Sequence, residues 1–418
     1  MSDVIIYPST LSGKVTVPPS KSDVHRAIIC AALAKGKSRI APIAFSQDIL
    51  ATIDCIKSLG AKVTDDGDGI VIDSADVFSL SHAVLDCRES GSTVRFFIPV
   101  AAAGGVDAKF VGRGRLPERP LDVYTRLLPC HGVKCITEGG LPFEIRGKLT
   151  PGRFELTGGV SSQFITGLLF ALPLLEGDSV IHLTSPLQSK GYIDMTISVM
   201  SRFGVKVESI DGEYRIKGGQ KYIPCDYTTE GDWSQAAFFL VGGAISGSAE
   251  VCGVRRDSDQ GDKEIVSLLQ RFGADVCPSD TSVICRKAPL HGIDIDASQI
   301  PDLVPVLAVC AAFAEGTTRI YNAQRLRLKE SDRLLAISEG LNACGASVAE
   351  TDDGLIITGK DTIHGGKAEG FNDHRIVMSM AIAALRSGGG ITVTDRESIA
   401  KSYPDFFEDY NSMGGKSI

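Results

Sequence analysis

Residues 168–183 read LLFALPLLEGDSVIHL, a helix rich in leucine and alanine, then a glycine, then a short strand rich in β-branched residues. The same phrase occurs six times along the 418-residue chain. Its glycines lie 69, 72, 70, 69 and 73 residues apart, at Gly36, Gly105, Gly177, Gly247, Gly316 and Gly389. Because self-similarity at a fixed period is the signature of repeat architectures, the chain is predicted to contain six repeats of about 71 residues.

A second phrase interleaves with the first. It is an amphipathic helix ending in glycine, a strand, an acidic turn and another strand, as in residues 55–72, CIKSLGAKVTDDGDGIVI. Its glycines are predicted to close helices in the left-handed conformation, and they are Gly60, Gly132, Gly204, Gly273, Gly345 and Gly414. The turns at residues 66–69 and 352–354 predict hairpins. Each repeat is therefore predicted to run strand, helix, strand, helix, strand, strand.

Six repeats are too many to share one hydrophobic core of ordinary size. We therefore predict an α/β protein of two domains with three repeats each. The first domain is expected to span residues 13–229. The second is expected to combine residues 1–12 with residues 230–418, the N-terminal strand crossing over to it.

Composition excludes several classes of protein. Hydrophobic residues at 43% and charged residues at 22% predict a globular chain rather than a disordered one. The longest apolar runs reach about eleven residues, short of the roughly twenty that a membrane span needs, and no signal-peptide pattern opens the sequence. A net charge of −8 with 6% aromatic residues argues against a nucleic-acid surface. Eleven cysteines without a C-x-x-C pair predict reduced thiols in the cytoplasm and no metal site.

Cations lie where helices are predicted to begin. Ser, Asp and Asn at these positions are typical N-caps, but a positive charge there opposes the helix dipole. Seven such cations in a net acidic chain indicate a multiply anionic ligand: Lys21, Arg119, Lys190, Lys329, Arg333, Arg375 and Lys401. Lys329 and Arg333 are expected on one helical face, four residues apart. The carboxylates of Asp302 and Glu330 are predicted to be either salt-bridge partners or acid–base catalysts.

Eight motifs occur in order on this sixfold frame: P-S-K-S-x-x-x-R at 19–26, R-x-x-x-R-P at 115–120, S-S-Q-F at 161–164, S-K-G-Y-I-D at 189–194, I-P-D at 300–302, L-K-E-S-D-R at 328–333, N-D-H-R at 372–375 and A-K-S-Y-P-D at 400–405. Each motif alone is weak evidence for a protein family, but the eight motifs together and in this order are specific. From residue 11 to the C-terminus the chain resembles the 5-enolpyruvylshikimate-3-phosphate synthase family of enolpyruvyl transferases.

The resemblance implies two domains, each with three βαβαββ repeats around a pseudo-threefold axis and helix N-termini pointing into a cleft between them. It implies transfer of the enolpyruvyl group of phosphoenolpyruvate to shikimate 3-phosphate, with release of phosphate, in the shikimate pathway. It also implies that no metal or cofactor takes part. The expected partners are these two small molecules, and the expected state is a cytoplasmic monomer.

The resemblance also assigns residues. Shikimate 3-phosphate is expected on Lys21, Ser22, Arg26, Ser161, Ser162, Gln163, Ser189, Asp302 and Lys329. Phosphoenolpyruvate is expected on Lys21, Gly91, Arg119, Gln163, Arg333, Arg375 and Lys401. Asp302 would accept the proton of the attacking 5-hydroxyl, and Glu330 or Lys21 would deliver one to the methylene carbon.

Two segments depart from the family pattern. Residues 89–93 read ESGST where better-known members have N-A-G-T-A, which leaves sensitivity to glyphosate open. Residues 323–327 read AQRLR where many members have an asparagine, which leaves one shikimate-phosphate contact unassigned. Two other functions stay open: transfer to UDP-N-acetylglucosamine on the same frame, and non-catalytic binding of anionic metabolites.

Overall fold

The computed structural model describes residues 2–418, which form two compact units. The first unit is Pro19–Thr229, and the second joins the N-terminal stretch up to Pro18 to Glu230–Ile418. Residues 13–18, predicted to belong to the first domain, lie in the second unit. The reason is that the strand Lys14–Thr16 pairs in parallel with Glu250–Cys252 of that unit.

Short strands and helices alternate along the chain. The strands are β1 (Val4–Tyr7), β2 (Lys14–Thr16), β3 (Lys37–Ala41), β4 (Lys62–Asp65), β5 (Ile70–Asp73), β6 (His82–Asp86), β7 (Asp107–Val111), β8 (Val133–Ile136), β9 (Phe143–Gly147), β10 (Arg153–Leu156), β11 (Ser179–Leu183), β12 (Glu208–Ile210), β13 (Glu213–Ile216), β14 (Tyr227–Thr228), β15 (Ser248–Cys252), β16 (Asp275–Pro278), β17 (Ser282–Arg286), β18 (Asp294–Asp296), β19 (Thr317–Tyr321), β20 (Val348–Thr351), β21 (Gly354–Thr358), β22 (Gly366–Ala368), β23 (Ile391–Val393) and β24 (Lys416–Ser417). The α-helices are α1 (Lys21–Leu33), α2 (Gln47–Ser58), α3 (Gly91–Gly104), α4 (Asp122–Leu127), α5 (Ser162–Ala171), α6 (Lys190–Arg202), α7 (Trp233–Ser246), α8 (Ile265–Phe272), α9 (Val304–Ala312), α10 (Arg333–Ala343), α11 (His374–Ala384) and α12 (Phe406–Ser412).

The strands form six four-stranded sheets of one pattern. In each sheet an edge strand pairs in parallel with the strand that follows the first helix of the repeat, and two antiparallel strands complete the sheet. The orders are β14-β3-β5-β4, β6-β7-β9-β8, β10-β11-β13-β12, β2-β15-β17-β16, β18-β19-β21-β20 and β22-β23-β1-β24. This confirms the predicted βαβαββ repeat.

Three strands are contributed from distant parts of the sequence. β2 precedes α1 of the first unit but pairs with β15 in the fourth repeat. β14 precedes α7 of the second unit but pairs with β3 in the first repeat. The sixth repeat takes β1 from the N-terminus between β23 and β24. The first unit therefore completes its three sheets with β14, and the second unit completes its three sheets with β1 and β2.

The predicted helix-closing glycines are confirmed. All six have positive φ, with values of 111°, 81°, 81°, 98°, 93° and 92° along the chain. The first helix of each repeat is mostly buried because it packs inside its unit. In the second unit, for example, α7, α9 and α11 pack against one another, and α7 is buried from Trp233 to Ile245. No helix among residues 2–418 is long and apolar enough to cross a membrane.

Alanine at Gly60 is expected to destabilise the protein more than alanine at Gly67, although both glycines have left-handed backbones, with φ of +111° and +82°. A Cβ at Gly60 would lie 2.5 Å from the Asp76 carbonyl oxygen, whereas nothing lies within 4 Å of a Cβ at Gly67. We expect about 1 kcal/mol from the backbone conformation in both variants. The clash should add ~1–3 kcal/mol at Gly60. Urea-unfolding midpoints measure the difference, and equal midpoints would contradict it.

Candidate active site

Lys21 is the first residue of α1 in the first unit. Ser20 caps this helix, its Oγ accepting the Asp23 amide at 3.4 Å. The Nζ of Lys21 donates to Asp48 Oδ2 at 2.8 Å, and both side chains are largely buried. A cation at a helix N-terminus is unfavourable because it opposes the helix dipole. The carboxylate of Asp48, at the start of α2, compensates for this by pairing with Lys21.

Arg26 lies one turn further along α1 and is almost completely buried. Its Nε donates to Thr196 Oγ1 at 2.8 Å, its Nη1 to the Ser22 carbonyl oxygen at 2.6 Å, and its Nη2 to the Tyr192 carbonyl oxygen at 3.0 Å. Burial lowers the pKa of Arg26 to about 10. A guanidinium has five N–H groups, so these bonds fix its orientation and leave two N–H groups outside this network.

Gln163, near the start of α5, is fixed from two sides. Its Oε1 accepts Arg95 Nη1 at 2.7 Å, and its Nε2 donates to Ser92 Oγ at 2.8 Å. Arg95 also donates to the Pro120 carbonyl oxygen at 3.2 Å and lies 5.0 Å from the ring centroid of Phe164. The predicted substrate contact Gln163 is thus tied to the first turn of α3.

Arg119 lies directly against Gly91, the first residue of α3. A Cβ at Gly91 would lie 2.4 Å from Arg119 Nη1 and 2.7 Å from its Cζ, so a larger residue there would require this guanidinium to move. Ser90 caps the helix, its Oγ accepting the Thr93 amide at 3.2 Å. A guanidinium beside free first-turn amides is a favourable arrangement for an anion.

The predicted shikimate-phosphate hydroxyls also lie at helix starts. They belong to Ser22 in α1, Ser161 and Ser162 at the start of α5, and Ser189 before α6. Ser161 caps α5 by accepting the Gln163 amide at 3.4 Å. Ser189 has φ of 55° and ψ of 44°, which is uncommon for a residue other than glycine. Such a backbone requires surrounding structure to hold it.

Arg333, the first residue of α10, forms the centre of a cluster in the second unit, and its side chain is 2% exposed. Its Nε donates to Asp373 Oδ2 at 2.8 Å, its Nη1 to Asp302 Oδ1 at 3.0 Å, and its Nη2 to Glu330 Oε2 at 2.7 Å. Burial opposes the charge, but the carboxylates of Asp373, Glu330 and Asp302 outweigh it and raise the pKa of Arg333. The guanidinium is held charged and in one orientation.

Asp302 lies in the 3-10 turn Pro301–Leu303 that leads into α9. Besides Arg333, its Oδ1 accepts Lys329 Nζ at 3.4 Å, and its Oδ2 accepts Arg375 Nη2 at 3.3 Å. The structure therefore brings the predicted proton acceptor into contact with three of the predicted cations.

Asp373 contacts both arginines of this cluster, the side chain of Arg333 and the backbone amide of Arg375. It is the N-cap of α11, its Oδ1 accepting the Arg375 amide at 2.9 Å. The same carboxylate accepts Arg333 and the Ser331 hydroxyl, the latter at 3.0 Å, and is completely buried.

The last two predicted cations differ. Lys401 is buried at the end of the 3-10 helix Arg396–Lys401, and its Nζ donates to the Asn372 carbonyl oxygen at 2.6 Å. Lys190 has a side chain that is 60% exposed and pairs with Asp194 at 2.6 Å. This pair, one helical turn apart at the surface, explains Lys190 without a ligand.

The prediction that Lys329 and Arg333 share one helical face is wrong. α10 begins at Arg333 because Asp332 is its N-cap and accepts the Leu335 amide at 3.1 Å. Lys329 precedes the helix with an extended backbone, φ −87° and ψ −157°. The two side chains nevertheless meet, because both reach Asp302.

Known proteins match the chain along almost its whole length. The family model described as EPSP synthase (3-phosphoshikimate 1-carboxyvinyltransferase) matches residues 6–410. The chain belongs to the EPSP synthase family. Among its relatives, a 3-phosphoshikimate 1-carboxyvinyltransferase of Clostridium novyi is 44% identical over 99% of this chain and 98% of its own. One of Clostridium acetobutylicum is 45% identical over 99% of this chain and 98% of its own.

Solved structures agree with this EPSP synthase fold. An EPSP synthase of Acinetobacter baumannii superposes with a TM-score of 0.83 at 28% identity, covering 100% of both chains. The enolpyruvyl transferase NikO of Streptomyces tendae has a TM-score of 0.80 at 19% identity, covering 100% of this chain and 98% of its own, which shows the fold alone. The predicted two-domain enolpyruvyl transferase fold is confirmed.

The sequence analysis does not identify three charged residues of the candidate site: Asp48, Arg95 and Asp373. Asp373 belongs to the N-D-H-R motif, but it reads there as a helix cap and not as an arginine partner. Asp48 lies 27 residues from Lys21, and nothing local in the sequence connects the two. Arg95 is the one charged residue of α3. A charge in such a largely apolar helix is the sequence signal that could indicate a functional role.

Asp373→Asn is expected to lower stability more than Asp332→Asn. Both aspartates cap helices, and asparagine caps as well as aspartate, so the comparison isolates the charge. Removing one partner of a buried pair such as Asp373 with Arg333 costs about 3–5 kcal/mol. Asp332 pairs at 3.0 Å with the more exposed Arg327, a contact worth ~1 kcal/mol or less. Thermal unfolding of both variants measures this, and equal losses would contradict it.

Proposed function

We propose that this chain transfers the enolpyruvyl group of phosphoenolpyruvate to the 5-hydroxyl of shikimate 3-phosphate, giving 5-enolpyruvylshikimate 3-phosphate and phosphate. This activity fits its membership of the EPSP synthase family. One observation supports it above others: Asp302 lies 3.4, 3.0 and 3.3 Å from the cationic nitrogens of Lys329, Arg333 and Arg375. A carboxylate so placed can accept a proton beside a bound anion.

The two substrates are anions, so each can pair with cations of this cluster in place of a carboxylate. Together they carry about five negative charges near neutral pH, since each has a carboxylate and a phosphate of about −1.5 to −2. In the second unit three cations face three carboxylates: Lys329, Arg333 and Arg375 with Asp302, Glu330 and Asp373. A bound substrate would replace a carboxylate as the partner of a cation. Asp302 and Glu330 would then be available to move protons.

The remaining residues are assigned to one or both substrates by the hydroxyl, amide or cationic groups that they carry. In the first unit, shikimate 3-phosphate takes the helix-start hydroxyls and Arg26, and phosphoenolpyruvate takes Gly91 and Arg119. Lys21 and Gln163 serve both substrates. In the second unit, Lys329 serves shikimate 3-phosphate, and Arg333, Arg375 and Lys401 serve phosphoenolpyruvate. Asp302 accepts the hydroxyl proton, and Glu330 or Lys21 delivers one to the methylene carbon. Preorganised cations stabilise the charge that develops in the tetrahedral intermediate.

Neither unit alone holds enough positive charge for both substrates. The assignments above take cations from both units of one chain, so we propose that the protein acts as a monomer. The eleven cysteines are free thiols, which favours a reducing compartment such as the cytoplasm.

The alternative functions are less well supported. Transferases acting on UDP-N-acetylglucosamine usually carry a cysteine in the loop before R-P, and residues 112–120, GRGRLPERP, contain none. A purely binding protein would gain nothing from Asp302 and Glu330, because carboxylates among the cations weaken anion capture.

Phosphate release tests the proposal directly. The purified protein is expected to release inorganic phosphate from phosphoenolpyruvate only when shikimate 3-phosphate is present. UDP-N-acetylglucosamine in place of shikimate 3-phosphate should give none. Release with UDP-N-acetylglucosamine, or no release with either acceptor, would overturn the assignment.

Two neighbouring substitutions separate chemistry from binding. Asp302→Asn keeps the shape but removes the proton acceptor, so kcat is expected to fall by roughly 10²- to 10⁴-fold. Lys329→Met removes a phosphate contact made in both ground and transition states, so it should mainly raise KM for shikimate 3-phosphate. Steady-state kinetics on folded variants measure kcat and KM separately and so distinguish the two effects. Near-normal kcat in Asp302→Asn would remove Asp302 as the base.

A further inference from the structure

A buried chain of polar side chains links three helices of the first unit. His25 Nδ1 lies 2.7 Å from Thr52 Oγ1, which lies 2.8 Å from Thr93 Oγ1. The Thr93 hydroxyl donates to Ser90 Oγ at 2.7 Å. Each of the four residues is at most 1% exposed. The chain runs from α1 through α2 to the cap of α3.

The geometry fixes the direction of the protons. Thr93 gives its only hydroxyl proton to Ser90, so Thr52 must be the donor in the bond to Thr93. Thr52 then has no proton left for the imidazole, and His25 Nδ1 must donate to Thr52. His25 is therefore the Nδ1–H tautomer, with a bare Nε2 that has no partner among residues 2–418.

The surroundings keep this imidazole uncharged. Burial is the main cause that holds the pKa of His25 well below its ordinary value, and the nearby charges of Lys21 and Arg26 add to it. The ring also packs edge-on against Phe96 of α3, with centroids 6.3 Å apart. A neutral ring has one N–H donor, and here that donor is directed to Thr52.

We propose that His25 is a positioning residue for phosphoenolpyruvate binding, acting through Thr52 and Thr93 on Ser90 and thereby on the first turn of α3. This inference rests on the proposed function, because it takes Gly91 and Arg119 as part of the phosphoenolpyruvate site. His25 touches no substrate in this scheme.

The step from Ser90 to the site is short. Ser90 precedes Gly91, and the first-turn amides of α3 have no acceptor within the helix. Arg119 lies so close to Gly91 that a Cβ there would meet three of its guanidinium atoms within 2.8 Å. A rotation or shift of the Ser90 cap therefore moves both the Gly91 backbone and the surface on which Arg119 rests.

Thr52→Val tests the proposal kinetically, because valine keeps the shape of threonine and α2 contributes no predicted substrate contact. We expect KM for phosphoenolpyruvate to rise about three- to tenfold, the usual effect of one lost hydrogen bond. KM for shikimate 3-phosphate and kcat should change less than twofold. Thr52→Ser, which restores the hydroxyl, should recover most of the loss.

Thr318→Val is the matched control. Thr318 is an equally buried threonine on β19 of the second unit, and its Oγ1 accepts the Ile293 amide at 3.3 Å. Its removal should lower stability without changing either KM. A merely structural role for Thr52 would give the same result as this control, and that outcome would overturn the proposal.

Nuclear magnetic resonance of histidine labelled with ¹⁵N tests the tautomer in the wild-type protein, independently of any variant. The His25 signals, assigned by their loss in His25→Asn, should show a protonated Nδ1 and a bare Nε2. They should stay so as the pH falls to about 6, below the ordinary histidine pKa of about 6.5. A protonated Nε2 at neutral pH would overturn the proposal. Absence of phosphate release by the wild type would instead refute the proposed function.

Discussion

The second unit's candidate site depends on one interaction, the pairing of the buried Arg333 guanidinium with three carboxylates. Moving an isolated cation out of water costs several kcal/mol, so Arg333 can stay charged there only because its partners are in place. Those partners come from three separate positions: Asp302 before α9, Glu330 before α10 and Asp373 at the cap of α11. The cluster therefore fixes the starts of three helices relative to one another. It also keeps a positive group charged and oriented before an anion arrives.

Exposure separates the roles of these three carboxylates. The Asp373 side chain is 0% exposed, and it also caps α11, so it cannot leave Arg333 without disrupting the helix. Asp302 and Glu330 have side chains 16% and 19% exposed, and each contacts Arg333 through one oxygen. An anionic substrate can take their place on the guanidinium, because exchange of one anion for another leaves the cation paired. The same exchange would place two carboxylates beside the substrate, which is where proton transfer needs them.

The sequence predicts the local parts of this protein well and the long-range parts poorly. The helix-closing glycines and the acidic hairpin turns predict the βαβαββ repeat, because both are set by residues close together in the chain. The exchange of β2 and β14 depends on pairing with strands far away in sequence, and no periodicity encodes it. The same limit applies to the site. The helix start predicts a role for Lys21, whereas its partner Asp48 and the bond between Thr52 and Thr93, 41 residues apart, become visible only in three dimensions.

The two units use the same repeat but place different residues at the starts of their first helices. In the first unit the first helices of the repeats are capped by neutral hydroxyls: Ser20, Ser90 and Ser161. In the second unit an aspartate stands at each equivalent start: Asp232, Asp302 and Asp373. A hydroxyl cap leaves the positive helix end available to a ligand, whereas a carboxylate neutralises it. The aspartates bind arginines instead: Asp373 holds Arg333, Asp302 contacts Arg333 and Arg375, and Asp232 reaches Arg375 through Ser234 at 2.6 and 2.9 Å. The carboxylates hold these arginines charged and oriented, and this pairing keeps the acid–base candidates Asp302 and Glu330 beside Arg333 in the second unit.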